Sequence, residues 1–198
     1  GQDRPLTRDA SSAGTKYVYA YTAAGDEPQV ESPITITLTD KSGNRSGNIS
    51  GKSVTFDFNP PALSDVTIAG SPAKKDATVS VTFRAGETLA DDPVVTLGSG
   101  AGLSLVGAPV DGRYTYAHVA NGDEPQDAAG VAVVVSLADA AGNAAKVTLE
   151  STVHFDFIAP AITGAVKVEP PVATAGTSVT VVFSVSEPLD TDPAVTVD

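Results

Sequence analysis

The chain has 198 residues, 24 acidic against 12 basic side chains, a net charge of −12, and no Cys, Met or Trp. That balance excludes a nucleic-acid binder, which needs a positive footprint, and it opposes an anionic membrane surface. The missing Cys excludes a disulfide framework, a thiolate metal site and a cysteine nucleophile. With 41% hydrophobic but only 6% aromatic residues, 18 Gly and 14 Pro, the composition predicts small cores of short strands joined by turns.

In chain order, the first segment carries "YVYAYTAAGDEPQ" (17–29), "ITITLTDKSGN" (34–44) and "VTFDFNPP" (54–61). A longer run, 62–157, predicts seven strands at roughly 64–69, 77–84, 93–98, 103–107, 113–119, 131–138 and 147–157. In "ATVSVTF", Val79, Val81 and Phe83 share one face. Val131, Val133, Val135 and Leu137 share another, as do Val153, Phe155 and Phe157. Val81, Phe83, Tyr116, Val135 and Phe155 are expected in the core. "DAAGN" (139–143) and "DKSGN" (40–44) are hairpin turns in which Asp accepts backbone N–H bonds and Gly takes positive φ. After "IAP" (158–160), the last segment carries "VTVVFSVSEPLDTDPAVT" (179–196). No segment shows helical periodicity.

These segments repeat. "GDEPQ" at 25–29 returns at 122–126, and Tyr17 and Tyr19 return as Tyr114 and Tyr116, all at an offset of 97. The two hairpin turns and "VTFDFNPP"/"VHFDFIAP" sit 99 apart, and 79–96 matches 179–196 at 100, a drift that predicts small loop insertions. All six Phe fall into repeat pairs (56/155, 58/157, 83/183). The period of about one hundred residues is that of a small β-sandwich. The expected architecture is all-β: seven-stranded Greek-key sandwiches in tandem. Residues 1–58 are the C-terminal part of one domain, 62–157 a complete domain, and 162–198 the N-terminal part of a third. Joined end to start, the last residues continue into the first with a seam right to one residue, and Met is absent. The chain is therefore expected to be a processed chain or a window on a longer array.

"SEPLDTDPAVTV", "YTYAHVANGDEP", "VSLADAAGN" and "FDFIAP" resemble the bacterial immunoglobulin-like (Big-type) domains strung in long arrays on secreted surface proteins. The resemblance spans essentially the whole chain. It implies a stalk, spacer or adhesive segment of an extracellular bacterial surface or filament protein. Neighbouring copies or domains, head to tail, are the expected partners, and membrane insertion is not expected. The alternative is a module that binds a glycan or protein through its pole loops.

Nothing predicts an enzyme. His118 stands where the other repeat has Tyr21, and His154 where it has Thr55, so both read as incidental strand residues. "GDEPQ" reads as a loop that crosses one pole, with Gly and Pro shaping it and its acids kept wet. Calcium is the one candidate cofactor, because abutting poles gather carboxylates. The candidate ligands at the first junction are Asp26, Glu27, Glu87, Asp91, Asp92 and Asp139. At the second they are Asp123, Glu124, Glu187, Asp190 and Asp192.

Overall fold

The structure, a computed structural model, describes residues 4–98 and 100–197. Among these it holds thirteen β-strands and no helix. The first segment contains β1 (Thr7–Arg8), β2 (Tyr19–Ala20), β3 (Glu31–Ile36) and β4 (Ile49–Thr55). The middle contains β5 (Leu63–Ala69), β6 (Thr78–Ala85), β7 (Val94–Leu97), β8 (Ser104–Leu105), β9 (Arg113–Val119), β10 (Val131–Ala138) and β11 (Ala144–Val153). The last segment contains β12 (Ile162–Glu169) and β13 (Thr180–Val185).

The middle is a sandwich of two antiparallel sheets, ordered β5-β6-β9-β8 and β11-β10-β7. Alternation decides which face is buried. Val79, Val81 and Phe83 of β6 point inward, as do Val133, Val135 and Leu137 of β10, and the two inner faces meet in one core. Tyr116, Val135 and Phe155 are buried there, as expected. The Phe83 ring stacks on Tyr114 and Tyr116, with centroids 5.7 and 6.0 Å away. The Tyr116 hydroxyl donates to the Pro93 carbonyl, tying the start of β7 to β9 across the sandwich. Each such side chain contributes about 1.5–3 kcal/mol of burial.

The last predicted strand, 147–157, is misplaced. It begins earlier, and its ladder ends at Val153. Beyond that point Phe155 forms a parallel bridge with Ala73. Ala73 N donates to His154 O (2.9 Å), and Asp156 N donates to Ala73 O (3.0 Å). The apolar alternation runs on unbroken while the hydrogen-bonding partner changes.

The flanking segments reproduce most pairs of the middle ladders, the exception being Ile36↔Ile49, which is one residue out of register with Val135↔Val147. Thr7↔Ala20 and Arg8↔Tyr19 lie 97 residues before Ser104↔Ala117 and Leu105↔Tyr116. Ser32↔Val54 lies 99 before Val131↔Val153. Ile162↔Val185 corresponds to Leu63↔Ala85, and Lys167↔Val182 to Thr67↔Thr82. The drift from 97 to 99 is a loop insertion, since 126–131 is longer than 29–32. The step from 99 to 100 is not: it lies within a β-bulge, which takes one residue more between Thr163 and Lys167 than between Ser64 and Thr67. Both bulges contain a left-handed residue, Asp65 (φ 51°) and Gly164 (φ 75°). Ala194–Val197, the counterpart of β7, makes no ladder. Among the described residues no ladder joins 4–58 to 162–197.

Candidate functional site

The "GDEPQ" loop at 122–126 links β9 to β10, and its copy at 25–29 links β2 to β3, so each crosses from one sheet to another. Its glutamate is not a solvating residue, contrary to the reading from sequence. Glu27 is only 4% exposed. Its carboxylate accepts from Ala24 N and Gly25 N (both 2.8 Å), from the Tyr21 hydroxyl, and from Arg4 Nη1 (3.1 Å). Glu124 does the same job, accepting from Asn121 N (2.9 Å) and Gly122 N (3.0 Å) and pairing with His118 Nε2 at 2.6 Å. Burial works to raise both carboxyl pKa values, but the converging donors outweigh it and hold each at about 2. His118 is therefore not incidental: from β9 it grips the loop, as Tyr21, just after β2, grips the copy at 25–29.

The glutamine of the same motif reaches the linker. Gln29 Oε1 accepts from Phe58 N (3.0 Å), and Gln126 Oε1 accepts from Phe157 N (2.8 Å). Each linker is braced again by its own aspartate: Asp57 Oδ1 accepts from Asn59 N (3.1 Å), and Asp156 Oδ1 from Ile158 N (3.0 Å). The five letters recur because each repeat needs a braced sheet crossing and a fixed exit.

At the first junction the linker meets the "DAAGN" turn. Asp139 Oδ1 accepts from Asn143 N (2.9 Å) and Oδ2 from Asn143 Nδ2 (2.8 Å), while Gly142 takes φ +94°. The same Nδ2 donates to Asp57 O (3.1 Å), a direct bond between the linker and the middle sandwich. The carboxylates of Asp57, Glu87 and Asp139 come together here, with ligand oxygens within 4.8 Å of one another. Burial, then the charges of Asp57 and Asp139, push the Glu87 carboxyl above its ordinary pKa. For Asp139, burial raises the pKa, but the Asn143 side chain and backbone donors leave it lowered.

Of the six sequence candidates at this junction, only Glu87 and Asp139 converge. Asp26 pairs with Arg4 at 2.8 Å, and Glu27 is spent on its own loop. Asp91 and Asp92 are exposed on a shallow hollow of about 450 Å³ beside Ser136–Ala138 and Ala144–Lys146. At the second junction Asp123, Asp190 and Asp192 are exposed, Glu187 is half-buried and Glu124 serves its loop. Asp57 was missed because it reads as the outward residue between Phe56 and Phe58. The signal was its recurrence as Asp156 in the second "FDF".

Chemically, the three carboxylates offer oxygen ligands suited to a hard cation. Among the described side-chain hydrogen bonds, no acid orients a histidine towards a hydroxyl: the His118 ring is held by Glu124, and the His154 ring pairs with the Thr152 hydroxyl and with no acid. No family model, curated protein or solved structure matches the chain.

Proposed function

We propose that the chain is a structural repeat unit of an extended extracellular protein, a spacer or filament segment of a bacterial surface built from like sandwiches. One observation carries the reading. The linker at 56–61 is held from both sides, by Gln29 from the preceding domain and by Asn143 from the next. A joint built this way transmits orientation from one domain to its neighbour. The strand order also supports it: lettered A to G, the middle sandwich is A-B-E-D over G-F-C, the immunoglobulin constant-type order. The sequence likeness to bacterial immunoglobulin-like arrays agrees, and such arrays sit outside the cell. A sugar-binding module has less support. Tyr17 and Tyr19 are exposed rings, but their repeat counterparts Tyr114 and Tyr116 are core residues.

Spin labels at Lys52→Cys and Lys146→Cys, in chains diluted with unlabelled protein, read the joint directly. The expected result is one narrow distance distribution that broadens when Gln29→Ala and Asn143→Ala are combined. A broad distribution in the otherwise unaltered chain overturns the spacer reading. The same sample tests the cation. Ca²⁺ at Asp57, Glu87 and Asp139 narrows the distribution and raises the melting temperature, and a chelator reverses both. No change in either quantity means that the carboxylates do not take calcium.

A further inference from the structure

We propose that residues 162–197 of one copy and 4–58 of a second copy of this chain close into a single sandwich, in a register that the middle domain supplies. This rests on the repeat-unit reading and goes further by naming the partner and each contact.

Each flank has a bare apolar face. Tyr116 is 3% exposed and its counterpart Tyr19 53%; Val135 is 0% and Ile36 50%; Val95 is 1% and Val195 55%. The strands missing beside each face are those the other flank holds. The first segment has the counterparts of β8, β9, β10 and β11, and the last has those of β5, β6 and β7. Unpaired edges of this kind accept an added strand.

The middle ladders Val81↔Tyr116, Phe83↔Tyr114, Val135↔Val95 and Val133↔Leu97 translate into Val181↔Tyr19, Phe183↔Tyr17, Ile36↔Val195 and Ile34↔Val197 between copies. Tyr19 then reaches the Pro193 carbonyl as Tyr116 reaches that of Pro93.

Two substitutions mark these positions as partners, because both sides of a pair change together. Thr82 and Thr115 share a hydrogen bond at 3.2 Å, and their counterparts are Val182 and Val18. Two hydroxyls that satisfy each other are replaced by two apolar side chains that cover each other. Leu97 and Val133 become Val197 and Ile34, so the larger residue moves to the other strand and the summed volume is kept. Ala194–Val197 lacks a ladder within one chain because the strand it would join, β3, belongs to the other copy. The contact is heterologous and does not close, so it propagates.

The chain has no Cys, so engineered thiols report the register without background. Ala20 and Thr180, the counterparts of Ala117 and Ser80, face each other in it. Directly opposed strand residues lie within disulfide reach. Single variants Ala20→Cys and Thr180→Cys are mixed and oxidised. The expected product is mainly the mixed dimer, whereas Ala20→Cys with Ser184→Cys gives only the statistical mixture. The double variant Ala20→Cys/Thr180→Cys gives a ladder of oligomers. A statistical mixture from the first pair, or a double variant that closes within one chain, overturns the proposal. Sedimentation of the unaltered chain is the check independent of any variant: mass rising with concentration supports the seam, and a monomer at all concentrations removes it. Seam and spacer fail separately, since the disulfide forms across a flexible joint and a stiff joint survives in a monomer.

Discussion

The "DAAGN" and "DKSGN" hairpins make the same bonds in different surroundings. Asp40 accepts from Asn44 N and Nδ2 at 2.8 and 2.7 Å, and Asp139 from Asn143 at 2.9 and 2.8 Å. Yet Asp139 is buried while Asp40 is exposed. The ladders behave alike over most of their pairs in the flanks: the β12–β13 bulge sits where β5–β6 has its own, and the β3–β4 bulge lies one position along from that of β10–β11. Turn chemistry and hairpin pairing are therefore local, formed over a few tens of residues. The core is not local: it needs strands from both halves of a period. The flanking hairpins keep most of their pairing and lack the burial of the middle sandwich.

The largest expected break in that comparison is at the shared phenylalanine. Phe83→Ala removes a fully buried ring stacked on two tyrosines, at a cost of about 3–5 kcal/mol to the middle sandwich. Phe183→Ala acts on a half-buried ring and costs about 1–2 kcal/mol in dilute solution. If the flanks close between copies, the second cost grows with protein concentration and the first does not. Urea melts at two concentrations measure both, and equal costs for the two variants in dilute solution would break the comparison.

Most of this architecture was legible because a period of about one hundred residues turns one reading into two. The Phe83/Phe183 pair, the alternation in "ATVSVTF" and the two Asp-Gly-Asn turns located strands correctly, whereas the pairs 56/155 and 58/157 lie just beyond β4 and β11. Phe155 shows where legibility stopped. Its inward side is written in the alternation, but its bridge to Ala73 depends on a segment some eighty residues earlier. The glutamates of "GDEPQ" were misread for a related reason. An acid in a Gly-Pro loop is ordinarily wet, and only the fold brings two backbone N–H groups and a strand side chain onto one carboxylate. At the junction, Glu87 and Asp139 were within reach of sequence reasoning because each lies in a loop. Asp57 was not, because its neighbours made it a strand residue.

A smaller effect, expected at Glu124, compares the two loop clamps. Glu124→Gln keeps the shape but weakens bonds to Asn121 N, Gly122 N and His118, at a cost of about 1–3 kcal/mol. Its folded pKa, about 2, lies below the ordinary 4.5. The stabilisation from ionised Glu124 is thus complete above 4.5 and is lost as pH falls towards 2. The variant should lack this part of the acid transition. Glu27→Gln should show a similar acid signature, although the ring that meets its carboxylate is a tyrosine rather than a histidine. An unchanged acid melt in Glu124→Gln would show that the loop holds without its charge.

The smallest expected effect has the opposite sign, and it compares Glu87 with its counterpart Glu187. Burial and the charges of Asp57 and Asp139 raise the Glu87 pKa above 4.5. A raised carboxyl favours folding while it is protonated. The penalty is absent below 4.5, grows as pH rises through the folded pKa, and is then constant. Glu87→Gln should therefore raise the melting temperature slightly at pH 7 and leave it unchanged at pH 4. Calcium reverses the sign at pH 7, because the variant then lacks a ligand that the cation would use. Glu187 has Asp156 in its linker, but the counterpart of Asp139 on its side of the joint is Asp40, which lies in the first segment. Glu187→Gln should thus change nothing in dilute chains and behave like Glu87→Gln only where copies have joined. Melts at both pH values, with and without Ca²⁺ and at two protein concentrations, separate these cases. A fall in melting temperature for Glu87→Gln at pH 7 without calcium would mean that the three carboxylates do not repel one another at the joint.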